Sequence, residues 1–385
     1  MTSTTRRLIA SWIVGSLVGT AIIAATSPLF VRSYVPLHAD SLRGVWTLPP
    51  AATYRWRSEG YADTSIGPLG MPGKVETPPR RPGTVRVALW GDSQAEGVCV
   101  GDPEKLFAQA QAISGERLEI FPLARSGEDA ADWLTQMPKV ERALDLDFHV
   151  ILVVDLHDLL TASEAPLPPP SPSDVEAAKA SIAATLPAFV IQAARHLLTE
   201  ADETTPRRLR FRLGPVEGET TSGTTAVPVG TADPVTAAAA VRGQPSESSA
   251  TSDGGDDSRR QLWRREIDAI DASTSLPVLI LHAPVSPQII DGRIVTETDD
   301  PNEFTDMKSA ADRAGRLVAS AQRELMRSAS DGDWPHGFHN GYIGSGHLNR
   351  TGNAVVARVL VKELFNALEA IREDPSGEVP SGEGN

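Results

Sequence analysis

Cysteine occurs once in 385 residues, at Cys99. A single thiol excludes an internal disulfide and any metal site built from several cysteines. In its apolar Val-Cys-Val setting it reads as core packing. Lysine is nearly as scarce, with six residues against thirty arginines, and the 36 basic side chains face 50 acidic ones, for a net charge of -14. Such a chain lacks the basic face that nucleic-acid phosphates demand, so nucleic acid is not an expected partner. No internal repeat is visible, which excludes a solenoid or propeller. Aromatic residues are absent from Gly214–Asp257, a stretch of Ser, Thr, Gly, Pro, Ala and acids. It cannot bury enough apolar surface to offset its ordering entropy and reads as a disordered surface insertion. Taken whole, the composition is that of an ordinary globular protein, with 41% hydrophobic residues before the 31 glycines are counted.

What the chain does have begins at the N-terminus. Arg6 and Arg7 precede Leu8–Val31, which carries no charge, and Arg32 closes it. That length spans a bilayer as a helix, and the leading arginines place the short terminus in the cytoplasm and the bulk outside. Small residues at Ala24, Ala25 and Thr26 leave cleavage as a signal peptide open, in which case the protein is secreted. An uncleaved anchor over residues 1–32 is the favoured reading.

Residues 33–82 form a Pro-, Gly- and aromatic-rich lead-in. Tyr54, Trp56 and Tyr61 are able to pack it on a domain surface; a loose stalk is the alternative. Val85–Trp90, Leu118–Leu123 and Val150–Val154 read as buried strands, separated by helices at Pro103–Ile113, with Asp102 as its cap, and Glu128–Leu144. Strand and helix alternating at this spacing predict parallel crossovers in one sheet. Beyond a proline-dense stretch at Pro166–Pro172, a helix is expected over Asp174–Leu198 and an edge strand over Arg208–Leu213. Then come a helix near Arg259–Ile270, a strand at Val278–His282, one long helix over Phe304–Met326, a last helix over Thr351–Ile371 with Thr351 as its cap, and a disordered acidic tail over residues 372–385.

Gly91-Asp92-Ser93 stands directly after the first strand of this α/β pattern, where open parallel sheets bind ligands. A serine hydroxyl there becomes a nucleophile once a base accepts its proton. Read blandly, the same three residues are a turn capping the next helix. The candidate base is His347, in Gly344-Ser345-Gly346-His347-Leu348-Asn349, whose glycines let the loop approach another backbone. Asp92 reads as a turn organiser, and Glu96 is given no role. His336 and His339 have a spacing that suggests a metal, but no third ligand is in view. His339 or Asn340 is placed beside the cleft.

The order Ala88-Leu89-Trp90-Gly91-Asp92-Ser93, then Gly127, then Asp155-Leu156-His157-Asp158, then Gly-His-Leu-Asn near the C-terminus resembles the SGNH/GDSL hydrolase family. The resemblance covers roughly Gly83 to Ile371, interrupted by the insertion at 214–257. The lead-in, with Gly60 and Gly67-Pro68-Leu69-Gly70, is similar to that of exported bacterial members, some tied to polysaccharide acetylation. It implies a flavodoxin-like three-layer α/β/α sandwich with a parallel sheet, acting on acyl esters without a cofactor or metal. Ser93 is then the nucleophile and His347 the base. Ser93 and Gly127 would supply oxyanion-hole N–H groups, and His157 stands where the family places an asparagine donor. A neutral imidazole is able to donate one hydrogen bond; the alternative is an inert replacement. The family's acid, three residues before the histidine, is replaced by Gly344; Asp331 and Asp333 are the nearby carboxylates, and a Ser–His dyad oriented by a backbone carbonyl is also workable.

The function expected from these residues is an esterase or O-acyltransferase outside the cytoplasm, taking an acylated small molecule or carbohydrate, with an acetyl ester as the natural guess. The competing expectation is a catalytically inactive module of the same fold that binds glycan or an envelope partner.

Overall fold

The computed structural model describes residues 3–33, 35, 37–164, 190, 254–290, 292–296 and 302–373. The expected proline-dense stretch, the helix over 174–198, the strand over 208–213, most of the insertion and most of the tail lie outside these residues.

Helix α1 (Ser3–Phe30) is long and apolar enough to cross a membrane, and its side chains are mostly exposed rather than packed in the protein, Ser27 being buried. Two small antiparallel hairpins follow, β1 (His38–Asp40) with β2 (Val45–Thr47) and β3 (Thr53–Trp56) with β4 (Ala62–Ser65). Next come β5 (Val85–Trp90), the one-turn helix α2 (Ser93–Glu96), α3 (Leu106–Ile113), β6 (Leu118–Pro122), α4 (Ala130–Leu144) and β7 (Phe148–Val153). The chain continues through α5 (Gly254–Ser273), β8 (Val278–His282), the short hairpin β9 (Gln288–Ile290) and β10 (Arg293–Val295), α6 (Glu303–Arg313), β11 (Leu317–Ser320), α7 (Gln322–Ser330) and α8 (Arg350–Glu373).

Five strands form one parallel sheet in the order β11-β8-β7-β5-β6. Numbered within the sheet this is 2-1-3-4-5, the flavodoxin-like order, with its reversal between β5 and β7. The sheet is buried on both faces because its strands are apolar at successive positions, and the pleat sends alternate residues to opposite layers. Val87 and Leu89 of β5, with Phe148, Val150 and Leu152 of β7, pack against α3, α7 and α8. Ala88 and Trp90, with Ile151 and Val153, pack against α4, α5 and α6 through Trp133, Met137, Trp263, Ile267 and Met307. The result is the three-layer sandwich expected from the sequence.

Several local expectations need correction. Phe304–Met326 is not one helix: it breaks after Arg313, passes through Gly315 at φ +66°, and contributes the edge strand β11. Helical periodicity hid that strand because it is short and only half-buried. Asp102 does not cap α3; its Oδ2 accepts from Ser65 N at 3.1 Å and so belongs to the lead-in contact. Asn349, not Thr351, caps α8, accepting from Thr351 N and Gly352 N. Helix α5 begins at Gly254, inside the span read as insertion.

The lead-in lies against the sandwich rather than hanging from it. Arg43, 1% exposed, donates to Gln136 Oε1 at 2.8 Å, Leu69 O at 2.9 Å and Leu123 O at 2.6 Å, and lies 3.7 Å from Glu128. Lys105, equally buried, donates from Nζ to Gly97 O at 2.5 Å, Val100 O at 3.2 Å and Thr64 Oγ1 at 3.1 Å. Burial pulls its pKa down to about 8 against the opposing charges of Asp102 and Glu96. The loop after α2 is thereby tied to β4.

Candidate active site

Strand β5 delivers Ser93 to the sheet's carboxyl edge at the reversal point. Gly91 makes the turn at φ +146°; a Cβ there would lie 2.7 Å from both Leu152 O and the Ala95 Cβ, so no larger residue fits. Asp92 caps α2, accepting from Gln94 N at 2.9 Å. Ser93 is half-buried.

The loop before α8 brings His347 to it: His347 Nε2 lies 3.0 Å from Ser93 Oγ. Gln94 holds that loop on both sides of the histidine. Its Oε1 accepts from Leu348 N at 2.8 Å, and its Nε2 donates to Gly346 O at 3.3 Å.

The orienting acid is neither Asp331 nor Asp333. It is Glu59, in the turn between β3 and β4. Glu59 Oε2 lies 2.6 Å from His347 Nδ1, and Oε1 accepts from His347 N at 2.9 Å. Asn340 braces this turn, accepting from Gly60 N at 2.9 Å and donating to Gly60 O at 2.8 Å. It thus supports the turn that carries the acid. A carboxylate at position 344 is excluded sterically: Gly344 sits at φ +80°, and a Cβ would fall 2.6 Å from Ile289 Cγ1. The sequence signal for Glu59 was weak. Nothing local linked a Glu-Gly pair in the lead-in to a histidine 288 positions later.

Electrostatics fit this relay. Burial opposes a charged His347, but hydrogen bonds and charge from Cys99 and Glu59 outweigh it and hold its pKa well above the ordinary histidine value. Burial likewise raises the Glu59 pKa, and His347 more than reverses this, so the carboxylate stays ionised. The Cys99 thiol is pushed up by burial. His336, fully buried with no hydrogen-bond partner at either ring nitrogen, is driven down to about 4 and stays neutral, while His339 is exposed.

Gly127 is exposed at φ +80° in the loop after β6. That loop is fixed at each residue before it. Arg125 N donates to Gly91 O at 3.2 Å, and the Arg125 side chain donates to Glu128 Oε1 at 2.9 Å and Trp46 O at 2.7 Å. Glu96, which sequence reasoning left without a role, accepts from both Ser126 N at 2.9 Å and Ser126 Oγ.

His157 stands in a 3-10 turn after β7, with a 70% exposed side chain. Its Nδ1 lies 2.9 Å from Asp155 Oδ1, which also accepts from His157 N at 3.0 Å. A carboxylate accepts the hydrogen bond from Nδ1–H, so in the neutral ring Nε2 is a bare acceptor. In this arrangement the neutral ring donates to Asp155, and His157 has an Nε2–H to offer only when protonated. Its pKa is raised, with burial outweighed by its hydrogen bond to Asp155 and by nearby carboxylates. Asp158 beside it is lifted to about 8 by burial and by Asp92, Asp155 and Asp129, so it is largely uncharged at neutral pH.

No protein-family model matches the chain, and no curated protein matches it. Solved structures that resemble it include the acetyl xylan esterase AlAXEase, at 12% identity over 74% of this chain and all of that one, with a TM-score of 0.34. A catalytic mutant of the acetylxylan esterase Axe2 from Geobacillus stearothermophilus is 10% identical over 73% of this chain and 95% of its own, with a TM-score of 0.34. A carbohydrate acetylesterase family member from Sinorhizobium meliloti is 11% identical over 74% of this chain and all of its own, with a TM-score of 0.33.

Proposed function

We propose that this protein is a serine esterase or O-acyltransferase of the SGNH kind, held outside the cytoplasm by α1 and acting on acyl esters, with acetylated carbohydrate as the substrate class. One observation carries the reading: a hydroxyl, an imidazole and a carboxylate in hydrogen-bonded series, Ser93–His347–Glu59.

In that reading Ser93 Oγ attacks the acyl carbonyl while its proton passes to His347 Nε2. Glu59 stabilises the imidazolium through Nδ1 and fixes the ring through the His347 backbone N–H. The negative charge that develops on the carbonyl oxygen meets the N–H groups of Ser93 and Gly127, with His157 as a third donor in its protonated form. His347 returns the proton to the departing alcohol as the C–O bond breaks, leaving Ser93 acylated. Water or a sugar hydroxyl then attacks the acyl-enzyme, giving its proton to His347, which passes it to Ser93 Oγ as the acyl–oxygen bond breaks.

The test is labelling of the full chain by a fluorophosphonate, together with turnover of an aryl acetate. The parent should label, and Ser93→Ala should lose the label and about a millionfold in kcat. A folded parent that takes no label would favour the other reading, a non-catalytic module binding glycan or an envelope partner. The commitment of His157 Nδ1 to Asp155 is the observation on that side.

A further inference from the structure

Cys99, the chain's one cysteine, does not pack only among apolar side chains. It lies three residues beyond α2 and is buried, yet its thiol sits beside the His347 ring. Its Sγ, a Glu59 oxygen and a His347 ring nitrogen all lie within 4.8 Å of one another. The hairpin tip that carries Glu59 closes directly onto this residue: a Cβ at Gly60 would collide with the Cys99 carbonyl.

We propose that Glu59, Cys99 and His347 form a binding site for a thiophilic divalent cation of the zinc and cadmium class, and that its occupancy switches the triad off. The second half rests on the esterase reading; the first does not.

Three arguments support the site. Thiolate, imidazole and carboxylate are a donor set that zinc accepts together, with water or Ser93 Oγ as a fourth ligand. Bond lengths near 2.0 Å to nitrogen and 2.3 Å to sulfur place tetrahedral ligands roughly 3.5 Å apart, so rotations of these side chains suffice to close around an ion. Charge also balances: the cation displaces the proton of Cys99 and the imidazolium proton of His347, both released to solvent. A dication with one thiolate and one carboxylate is then neutral, which suits a half-buried place. The side chains of His347 and Glu59 remain 22% and 19% exposed, which leaves the cation a path in.

Inhibition follows from proton placement. His347 Nδ1 is the nitrogen beside Glu59. Coordination there leaves the remaining ring proton on Nε2, which then donates to Ser93 and cannot accept its proton.

The experiment titrates Cd2+ into the full chain in detergent and follows ultraviolet thiolate-to-cadmium absorption. Because Cys99 is the only thiol, any such band reports this site. Saturation at one equivalent is expected, with loss of the band in Cys99→Ser and affinity weaker by roughly tenfold in Glu59→Gln. Zn2+ should block fluorophosphonate labelling of the parent, a chelator should restore it, and Cys99→Ser should label in the same Zn2+ concentration. A parent with an intact thermal unfolding transition and no band at saturating Cd2+ overturns the site whether or not the protein is an esterase. A band with labelling unaffected overturns the inhibitory half. Unchanged affinity in Glu59→Gln removes that residue from the ligand set.

Discussion

The sandwich and the lead-in contribute to the same site by different means. The sheet positions Ser93 and the loop of Gly127 through short connections at the carboxyl ends of neighbouring strands, so geometry follows from topology. The lead-in reaches the site from outside the sheet. Glu59 completes the histidine's hydrogen bonding on one side, and Trp46 O accepts from Arg125 beside the Gly127 loop on the other. A relay assembled across two regions is only as good as their docking, and the buried contacts of Arg43 and Lys105 are what dock them.

The sharpest test of that dependence is Glu59→Gln. The amide keeps the size but gives up the charge that stabilises the imidazolium, so kcat/KM should fall by roughly 1,000- to 10,000-fold. The pH profile should move as well. Base catalysis needs neutral His347, and Glu59 helps hold its pKa above the ordinary value of about 6.5. The parent's acid limb should therefore lie above that value, and the variant's should shift toward lower pH. A full rate with an unmoved limb would detach the lead-in from the chemistry.

Arg43→Ala probes the docking itself. Removing the guanidinium leaves Gln136 Oε1 and the Leu123 carbonyl short of a donor and Glu128 short of a neighbouring cation, all buried. A loss of about 3–5 kcal/mol in unfolding free energy is expected from urea titration. Activity should drop with it at temperatures where the parent is fully folded. Stability loss with normal turnover would mean that Glu59 holds its place without the Arg43 anchor.

The two regions also differed in how far they were readable. Val85–Trp90 and Val278–His282 were legible to the residue because a strand buried on both faces is apolar at nearly every position, Arg86 and His282 being the exceptions. Ser93 and His347 followed from motif and from position beside such strands. The hairpins of the lead-in were not legible: their strands are three or four residues long, with mixed exposure, and leave no period to detect. Glu59 was hidden for the same reason, since its partner is fixed by tertiary contact alone. His157 was visible as a position, while its working protonation state depends on the Asp155 contact that only the structure shows.

Asn340→Ala is a smaller perturbation of the same junction. Asn340 is a positioning residue whose two bonds fix Gly60, next to the acid. Turnover should fall about 10- to 100-fold, chiefly in kcat, through misplacement of Glu59. In the double variant with Glu59→Gln the losses should not add, because both act through one carboxylate. Additive losses would place Asn340 at some other step.

The smallest effect belongs to the sheet side, at His157. Its Nε2 donates only in the protonated ring, so the parent should lose this donor as pH rises through the raised His157 pKa. Asparagine donates at any pH, although it forfeits the positive charge near the oxyanion. His157→Asn should therefore leave activity near neutral pH within about fivefold of the parent, the worth of a single ordinary hydrogen bond. Above the His157 pKa the variant should hold its rate where the parent declines. Asp155→Asn supplies the complementary case: without the carboxylate the histidine pKa drops, and the parent's decline should begin at lower pH. If all three proteins share one alkaline limb, the oxyanion is served by Ser93 and Gly127 alone, and the side chain at position 157 has no part in the reaction.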